Sequence, residues 1–358
     1  MMDCYQFFIR PNDIKELKKD IWCDEPIPAQ LLVQNQKIEI DIVYRGATTR
    51  TLKKKSYFVR FYNPKKLGGE KEFHLNAEYL DPSFMRNKLS LDFFHDIGIL
   101  APQAHYVEMK MNGKREGVYL KIESVNEDFL KKRNVPTGSL FYAIDADANF
   151  SLMSELTQSL KESLEKGYES KYLYGNDQQA LVELIYNVNT LSHDEFAKKI
   201  PEVIHVENYL RWLTGVVCTQ NYDGFVQNYA LYRNSQTGLF ELIPWDCDGT
   251  WGRNLNGNEM QADYLRIQGF NTLSARLLHL PIFKAQYRDI LAEVLEKQFT
   301  VEYMGPKIMS LYNMLYSYVE SDPYISKYSE QFKKEPAFIL NFIDKRRAFL
   351  YKQLDELK

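Results

Sequence analysis

Two acidic residues and one amide in this chain have the types and spacing of a phosphoryl-transfer site. Asp223 and Asn228 lie five residues apart, and Asp246 follows on what reads as the returning strand of a β-hairpin. A carboxylate at the first position can orient an acceptor hydroxyl, while the amide and the second carboxylate can hold metal-bound ATP. Such oxygen ligands suit a hard divalent cation such as Mg²⁺.

A β-hairpin must position these side chains. Two apolar runs flank the polar segment RNSQTG, which ends in glycine and is typical of a hairpin turn. The expected register pairs Arg233 with Leu239. Asn228 then falls opposite Pro244, and Asp246 lies about 7 Å further along the strand. The register therefore predicts that the oxygen-bearing side chains meet at one end of the hairpin.

The segment WDCDGTWG adds Asp248 and places two carboxylates among bulky apolar neighbours. Buried charges are costly there unless they bind something. Asp and Asn are also common turn residues, and the D-x-x-x-x-N spacing arises readily by chance. The pattern alone leaves two interpretations open: a metal or phosphoryl-transfer site, and an ordinary turn that carries Asp and Asn residues.

The stretch 221–252 resembles the catalytic region of the CotH kinases, atypical protein kinases named after a coat protein of spore-forming bacilli. The resemblance continues, in order, through YRGATTRTLKKKSYFVRFY, FHLNAEYLDPSFMRNKLSLDFF, MNGKREGVYLKIESV and RIQGFNTLSARLL, and so covers nearly the whole chain. It implies an α+β, kinase-like two-lobed fold with a β-rich N-lobe and a mainly helical C-lobe. It also implies dependence on ATP and a divalent metal, Mg²⁺ or Mn²⁺, and phosphorylation of Ser residues in other spore coat proteins.

Within this resemblance, Asp223 is the candidate catalytic residue, and Asn228 and Asp246 are candidate metal ligands. Asp248 is either a further ligand or a cap for the next segment. Trp245 and Trp251 flank the acidic segment, so one of them could stack on adenine or close the pocket, although Trp251 fits a core role equally well.

The nucleotide-binding residues are less distinct, because the chain lacks both G-x-x-x-x-G-K-[ST] and G-x-G-x-x-G. Arg45 and Gly46 begin a reduced phosphate loop, whose arginine and backbone N–H groups could hold phosphate oxygens. Lys55, which ends a run of three lysines, and Arg60, inside an apolar strand, are alternative partners for the α- and β-phosphates.

Two further residues complete the predicted nucleotide site. Arg86 lies on the helix that corresponds to the small-lobe helix of kinases, and either contacts phosphate or pairs with an acidic neighbour. Glu123 ends a strand where the hinge between the lobes should begin, and adenine would bind to backbone there. The motif Asp145-x-Asp147-x-Asn149 begins like an EF-hand loop but lacks the required Gly and Glu, so we interpret it as a turn or an acidic surface.

Bulk properties fit an intracellular enzyme. The net charge of −3 argues against a sequence-independent nucleic-acid binder, and no apolar run approaches the ~20 residues of a membrane span. The N-terminus does not read as a signal peptide, and the four cysteines show no metal or disulfide spacing. The family resemblance further implies a protein of the mother-cell cytoplasm that is later found in the spore coat.

The order of predicted elements suggests one bilobal domain, with an N-lobe over 1–125 and a C-lobe over 126–358. Strands are expected at 37–44, 55–62, 104–111 and 117–122, with a helix at 83–97. Helical periodicity is expected at 156–172, 177–188, 206–219, 273–280, 283–298, 301–320 and 335–357.

The acceptor and the competing functions are predicted less directly. Asp223, Asp246, Asp248, Glu259 and Asp263 should give the site an acidic rim, which favours basic, Ser-rich coat proteins as substrates. The competing classes are a catalytically inactive, kinase-like coat scaffold and a small-molecule kinase.

Overall fold

The computed structural model describes residues 2–62 and 64–357, so Met1, Asn63 and Lys358 lie outside the described residues. The chain divides into two units. The barrel unit contains residues 1–88, 102–124 and 309–336, and the helical unit contains residues 89–101, 125–308 and 337–358. Each unit is therefore built from segments that are distant in sequence.

Alternating apolar residues in the first third of the chain form a closed β-barrel. Its strands are β1 (Asp3–Phe8), β2 (Ile27–Val33), β3 (Gln36–Arg45), β4 (Ser56–Phe61), β5 (Glu72–Asn76), β6 (Ala104–Met111) and β7 (Lys114–Glu123). They follow the order β1-β2-β3-β4-β5-β7-β6, and β1 closes the barrel by pairing in parallel with β6. Side chains on alternate positions, such as Tyr57, Val59 and Phe61 of β4, fill the interior.

Short helices and turns complete the barrel unit. Helix α1 (Pro11–Lys19) packs Leu17 against the barrel core, and α2 (Arg86–Asp96) begins in this unit. The predicted Asn112-Gly113 turn is confirmed: both residues have positive φ, +49° and +81°, as a tight hairpin between β6 and β7 requires.

The helical unit contains an antiparallel sheet and most of the helices. The sheet has the order β11-β10-β8-β9 and consists of β8 (Gly138–Ala143), β9 (Tyr168–Tyr172), β10 (Tyr229–Asn234) and β11 (Phe240–Pro244). The helices are α3 (Glu127–Lys132), α4 (Asp177–Thr190), α5 (His193–Lys199), α6 (Val206–Thr219), α7 (Thr272–Leu278) and α8 (Pro281–Lys297).

The last helices contribute residues to both units. They are α9 (Val301–Glu320), α10 (Ser329–Phe332) and α11 (Glu335–Gln353), and the unit boundaries fall within α9 and α11. Among the described residues, no helix combines the length and apolar character that crossing a membrane requires. The four cysteines, which all lie within this part of the chain, form no disulfide.

Two predicted helices differ in the structure. The stretch 156–172 is not helical: Met153 forms an isolated bridge with Leu160, and only its last residues are regular, as β9. Helix α2 begins at Arg86 rather than at residue 83. The Asp81 carboxylate accepts hydrogen bonds from the N–H groups of Ser83 and Arg86, so residues 81–85 form a capping turn.

Candidate active site

Asp223 lies on a tight turn that follows the buried helix α6. This helix ends at Thr219, and its C-cap Gln220 has a left-handed φ of +57°. The chain then turns so that the Asn221 side chain accepts a hydrogen bond from Gly224 N at 3.2 Å. Residues Asp223–Phe225 form a single 3₁₀ turn, and the fully buried Phe225 anchors it. The turn thus holds the Asp223 backbone in one place.

The Asp223 carboxylate is a partly buried acceptor. It accepts a hydrogen bond from Gln227 Nε2 at 3.2 Å. Burial, and secondarily the nearby Asp246, raise the pKa of this carboxyl above its usual value. Such a group is better suited to accept a proton than an exposed aspartate.

The hairpin forms as predicted, but its register differs by one residue. Tyr229, rather than Asn228, lies opposite Pro244, and Arg233 lies opposite Phe240. The turn is closed by a hydrogen bond from Asn234 N to Leu239 O at 3.0 Å, which moves the pairing by one position.

Asn228 directly precedes β10 and faces Trp245, while Asp246 lies two residues after the end of β11. The backbone N–H of Asn228 donates a hydrogen bond to Ala143 O, and Asn228 O accepts a hydrogen bond from Trp245 N, both at 3.1 Å. Its φ is +60° and that of Asp246 is +49°, so both residues adopt the left-handed conformation that Asn and Asp tolerate best. Such a conformation often marks a functional site.

Asp248 completes a group of three like charges. Burial raises the pKa of its carboxyl well above the usual value, and Asp246 and then Asp223 raise it further. Gly249 N donates to Asp248 Oδ1 at 2.9 Å. In the part of the chain that the structure describes, neither Asp223 nor Asp248 forms an ion pair with a lysine or an arginine.

These residues have the donor atoms that a divalent cation requires. Among residues 2–62 and 64–357, no group of three His, Cys, Asp or Glu side chains is arranged to hold a metal ion. The expected set is different, because Asn228 supplies an amide oxygen and an ATP-bound ion takes other ligands from phosphate and water. A cation would also offset the mutual repulsion of the three carboxylates.

A cleft of about 450 Å³ opens beside Asp223. Its lining includes Tyr222, Asp223, Asn254, Glu259, Gln261 and Tyr264. The Tyr222 ring stacks on Phe270 at 4.5 Å, which holds this wall in place. Glu259 is mostly exposed and lies 3.8 Å from the Arg253 guanidinium, so this ion pair is weak. Asp263 interacts electrostatically with Arg346.

The two tryptophans of the acidic segment have different surroundings. Trp251 is fully buried against Phe93 and Phe299, and its indole N–H donates to Ser90 Oγ at 2.9 Å. It therefore has the core role that the sequence analysis allowed. Trp245 is 8% exposed and lies 5.3 Å from the Tyr142 ring, and its contact with adenine remains a prediction.

In the barrel unit, Arg45 and Gly46 form a tight turn at the end of β3. The Arg45 guanidinium hydrogen-bonds Asn76 Oδ1, and Gly46 O accepts from Arg50 Nε at 2.7 Å. Gly46 has a φ of +94°, and a Cβ there would lie 2.1 Å from Thr49 Oγ1, so only glycine fits. Phosphate binding by this turn is not tested by these contacts and remains a prediction.

The two alternative phosphate partners both lie near the surface of the barrel. Arg60 points outward from β4, with its side chain 52% exposed and 3.6 Å from Asp41. Lys55 Nζ donates to Arg50 O. Burial lowers the pKa of Lys55, but the contacts do not choose between the two residues.

Arg86 and Glu123 are both buried. Arg86 pairs with Asp81 at 2.5 Å and with Glu335 at 2.7 Å, which is the acidic-neighbour alternative of the sequence analysis. Glu123 ends β7, and its side chain accepts a hydrogen bond from Gln103 N at 3.2 Å.

Sequence reasoning missed a buried ion pair in the barrel unit. Lys54, rather than Lys55, is the buried member of the lysine run, and its ammonium lies 3.1 Å from the Asp322 carboxylate. Asp322 also accepts from Val118 N at 2.8 Å. Nothing in the lysine run distinguishes Lys54, because its partner is far away in sequence.

Sequence reasoning also missed Lys161, which binds the EF-hand-like motif. The Lys161 ammonium donates to Asp147 O and to Asn149 Oδ1, the latter at 2.9 Å, where a cation would sit in a true calcium loop. Ser154 Oγ donates to Asp147 Oδ2 at 2.9 Å. The motif is therefore a turn held by an internal lysine, as the absence of the EF-hand Gly and Glu predicted.

Comparison with known proteins identifies the family. The family described as CotH kinase protein matches residues 42–350. The chain is 52% identical to "Inner spore coat protein H" of Bacillus subtilis (strain 168), over 99% of this chain and 98% of that protein. It is 32% identical to "Inner spore coat protein H-like protein" of the same strain, over 82% of this chain and 84% of that one. The chain therefore belongs to the CotH kinase family.

Solved structures give weaker likenesses. A Shewanella oneidensis HipA, HipB and operator DNA complex matches at 11% identity and a TM-score of 0.42, over 99% of this chain and 73% of that one. The Helicobacter pylori proinflammatory kinase CtkA matches at 11% identity and a TM-score of 0.33, over 98% and 96%. Likenesses at this level support no conclusion here. The predicted α+β class, with a β-rich N-terminal part and a mainly helical C-terminal part, is confirmed.

Proposed function

We propose that this chain is an ATP-dependent protein kinase that phosphorylates Ser residues of spore coat proteins. The observation that carries the proposal is the position of Asp223, on a rigid turn in the wall of a cleft and close enough to Asp246 for the two charges to interact. Membership of the CotH kinase family and the name of the Bacillus subtilis relative support the kinase activity and the link to the spore coat.

In the proposed reaction, Asp223 orients the acceptor serine. Its carboxylate accepts the hydroxyl proton as the serine oxygen bonds to the γ-phosphorus and the bond to the β-phosphate oxygen breaks. Positioning and charge neutralisation supply most of the rate enhancement in such transfers. Asn228, Asp246 and Asp248 would hold Mg²⁺ or Mn²⁺, which supplies neutralisation of the phosphate charges when bound.

The cleft chemistry favours a polypeptide acceptor. Side-chain amides of Asn254 and Gln261 can pair with the backbone of an extended peptide, and the exposed Glu259 can attract its cations. Basic, Ser-rich coat proteins fit this lining better than a small anionic metabolite. We further propose that the protein acts in the mother-cell cytoplasm and is then retained in the coat, in line with its relative's name.

Radiolabelled ATP tests the proposal directly. The chain is incubated with Mg²⁺ and a Ser-Lys/Arg peptide, a Ser-Glu/Asp peptide or a metabolite mixture. Label should enter the basic peptide. The Asp223→Asn variant should keep its fold and ATP affinity but lose about 10²- to 10⁴-fold in rate, because the amide cannot take the proton.

Each other outcome identifies a competing function. Label in a metabolite alone would indicate a small-molecule kinase, and label in no acceptor would indicate an inactive scaffold. Equal or better labelling of the acidic peptide would contradict the proposed substrate preference. Transfer by Asp223→Asn at the wild-type rate would remove Asp223 from the catalytic role.

A further inference from the structure

The walls of the Asp223 cleft come from two separate parts of the helical unit. One wall is the turn after α6, with Tyr222 and Asp223. The other belongs to residues 254–264, an irregular segment in which the only strand-like contact among the described residues is the bridge between Arg253 and Glu259. Hydrogen bonds such as Asn254 N to Asn258 O and Tyr264 N to Gln261 O hold the local shape of this segment. Its position against the first wall depends on contacts with residues outside the segment.

Arg346 of α11 joins the second wall to α6, the helix that leads into the first wall. Its Nε and Nη2 donate to Val217 O, in the last turn of α6, at 3.1 and 2.8 Å. Its Nη1 donates to Ala262 O, within the second wall, at 2.8 Å. One rigid guanidinium therefore sets the separation of the carbonyls behind the two walls.

The burial of Arg346 is costly, which argues that its hydrogen bonds are important. The side chain is fully buried and occupies a helical stripe whose other members, Ile339, Phe342, Ile343 and Leu350, are apolar. Burial lowers the pKa of Arg346 to about 10, so the group remains charged at neutral pH. A leucine or methionine would pack there without the desolvation penalty, but could not hold the two carbonyls.

A weaker contact lies beside this one. Gln220 Nε2 donates to Gln261 O at 3.1 Å, and so joins the same two segments nearer the cleft. This single neutral hydrogen bond can rotate with its side chain, whereas the guanidinium is planar and makes three bonds. The Tyr222 and Tyr264 rings, 5.9 Å apart, also connect the two walls, but the planar guanidinium of Arg346 fixes the separation of the segments behind them with three hydrogen bonds.

We infer that Arg346 is a positioning residue for the acceptor: it sets the width of the cleft beside Asp223 and thereby the KM for the polypeptide substrate. The inference rests on the proposed function. Arg346 is buried behind the walls and does not belong to the residues that line the cleft, so its loss should affect acceptor binding through the walls and leave nucleotide binding intact.

The neighbouring Arg347 provides a matched control. It is half-buried on the same helix, and its Nε also donates to a backbone carbonyl, that of Leu295, at 2.7 Å. This contact anchors α11 to α8 and involves neither wall of the cleft. Arg346→Met and Arg347→Met therefore remove similar groups with different expected effects.

The experiment measures steady-state kinetics with the basic serine peptide, ATP binding by calorimetry, and amide hydrogen exchange. Arg346→Met should raise the acceptor KM by about tenfold or more, because small misplacements of a substrate are costly. ATP affinity should stay within about twofold. Exchange should quicken in residues 254–264. Arg347→Met should change neither acceptor KM nor that exchange, and Arg346→Lys should fall between wild type and Arg346→Met.

Equal effects of Arg346→Met and Arg347→Met would overturn the inference, as would an equal loss of ATP and acceptor binding. Should Arg346→Met fail to fold, Arg346→Lys decides by the same measurements. Should the wild-type chain transfer no phosphate, the proposed function fails, and hydrogen exchange alone decides whether Arg346 fixes the wall.

Discussion

In the barrel unit, the buried Asp322 lies 3.1 Å from the Lys54 ammonium, whereas in the helical unit Asp248 lies near two further acids, Asp246 and Asp223. The first carboxylate is offset within the protein by a cation and by backbone N–H groups. Burial raises the pKa of the second carboxyl, and its acidic neighbours raise it further. An acid of the first kind maintains the fold, whereas the charged form of an acid of the second kind is favoured when a ligand supplies a positive charge.

The largest effect is expected when Asp322, the acid that pairs with Lys54, is removed. Asp322→Ala should lower the free energy of unfolding by about 3–5 kcal/mol, because it leaves Lys54 buried without its partner. Lys54→Met should cost less, since Asp322 keeps its hydrogen bonds from Val118 and Tyr324. Urea titration measures both. A loss for Asp322→Ala no larger than that for Glu16→Ala, on the exposed face of α1, would contradict this account.

A glycine next to the same pair gives a smaller, steric test. Gly117 has a φ of +89°, and a Cβ there would lie 1.9 Å from Asp322 Oδ2. Gly113, in the turn of the same hairpin, has a φ of +81° and open space around it. Gly117→Ala should therefore destabilise by about 1–3 kcal/mol more than Gly113→Ala. Equal losses in thermal unfolding would show that Asp322 can move aside.

At the site of Asp248, removing an acid should change stability in the opposite direction. Asp248→Asn should raise the free energy of unfolding by about 1 kcal/mol without metal, because it removes one of three like charges. Asp322→Asn, the same change in the barrel, should lower it. With Mg²⁺ and ATP the wild type should gain more than Asp248→Asn, since a ligand stabilises the form that binds it. Destabilisation by both variants, measured in metal-free buffer, would remove the distinction between the two sites.

The smallest effect is expected at Lys161, a buried cation whose partners are mostly neutral. Burial lowers its pKa from the ordinary 10.5 to about 8. Between these values the unfolded chain holds more protons than the folded one, so the contribution of Lys161 to stability rises with pH. Lys161→Met should remove this rise between about pH 8 and pH 10, and the exposed Lys198→Met should retain it. Thermal melts with the same pH dependence in both variants would refute the assignment.

Sequence reasoning predicted the elements whose determinants are local. Helix α6 has the predicted bounds, because its apolar residues recur with helical spacing, and α9 does too. The predicted helix at 156–172 was wrong because hydrogen bonds from Lys161 to Asp147 and Asn149 organise this segment as a loop. Hydrophobic periodicity in the sequence does not reveal such hydrogen bonds.

The candidate site shows the same limit. The hairpin and its acids were predicted, but its register depends on the hydrogen bond that closes the turn at Asn234. The sequence could not distinguish the buried Lys54 from Lys55, because its partner Asp322 comes close to Lys54 only when the barrel unit is complete. Arg346 did carry a signal: an arginine within an apolar helical stripe is unusual unless it holds buried acceptors.

The Lys54–Asp322 pair also affects when the barrel unit can be completed during synthesis on the ribosome. Strands β1 to β7 end at Glu123, yet the segment 309–336 that completes the barrel unit is translated roughly 200 residues later. At ~5–20 residues per second, a nascent barrel waits about 10–40 s before the counter-charge for Lys54 emerges. Over that interval Lys54 lacks its Asp322 partner, so completion of this unit is paced by translation of the C-terminal third.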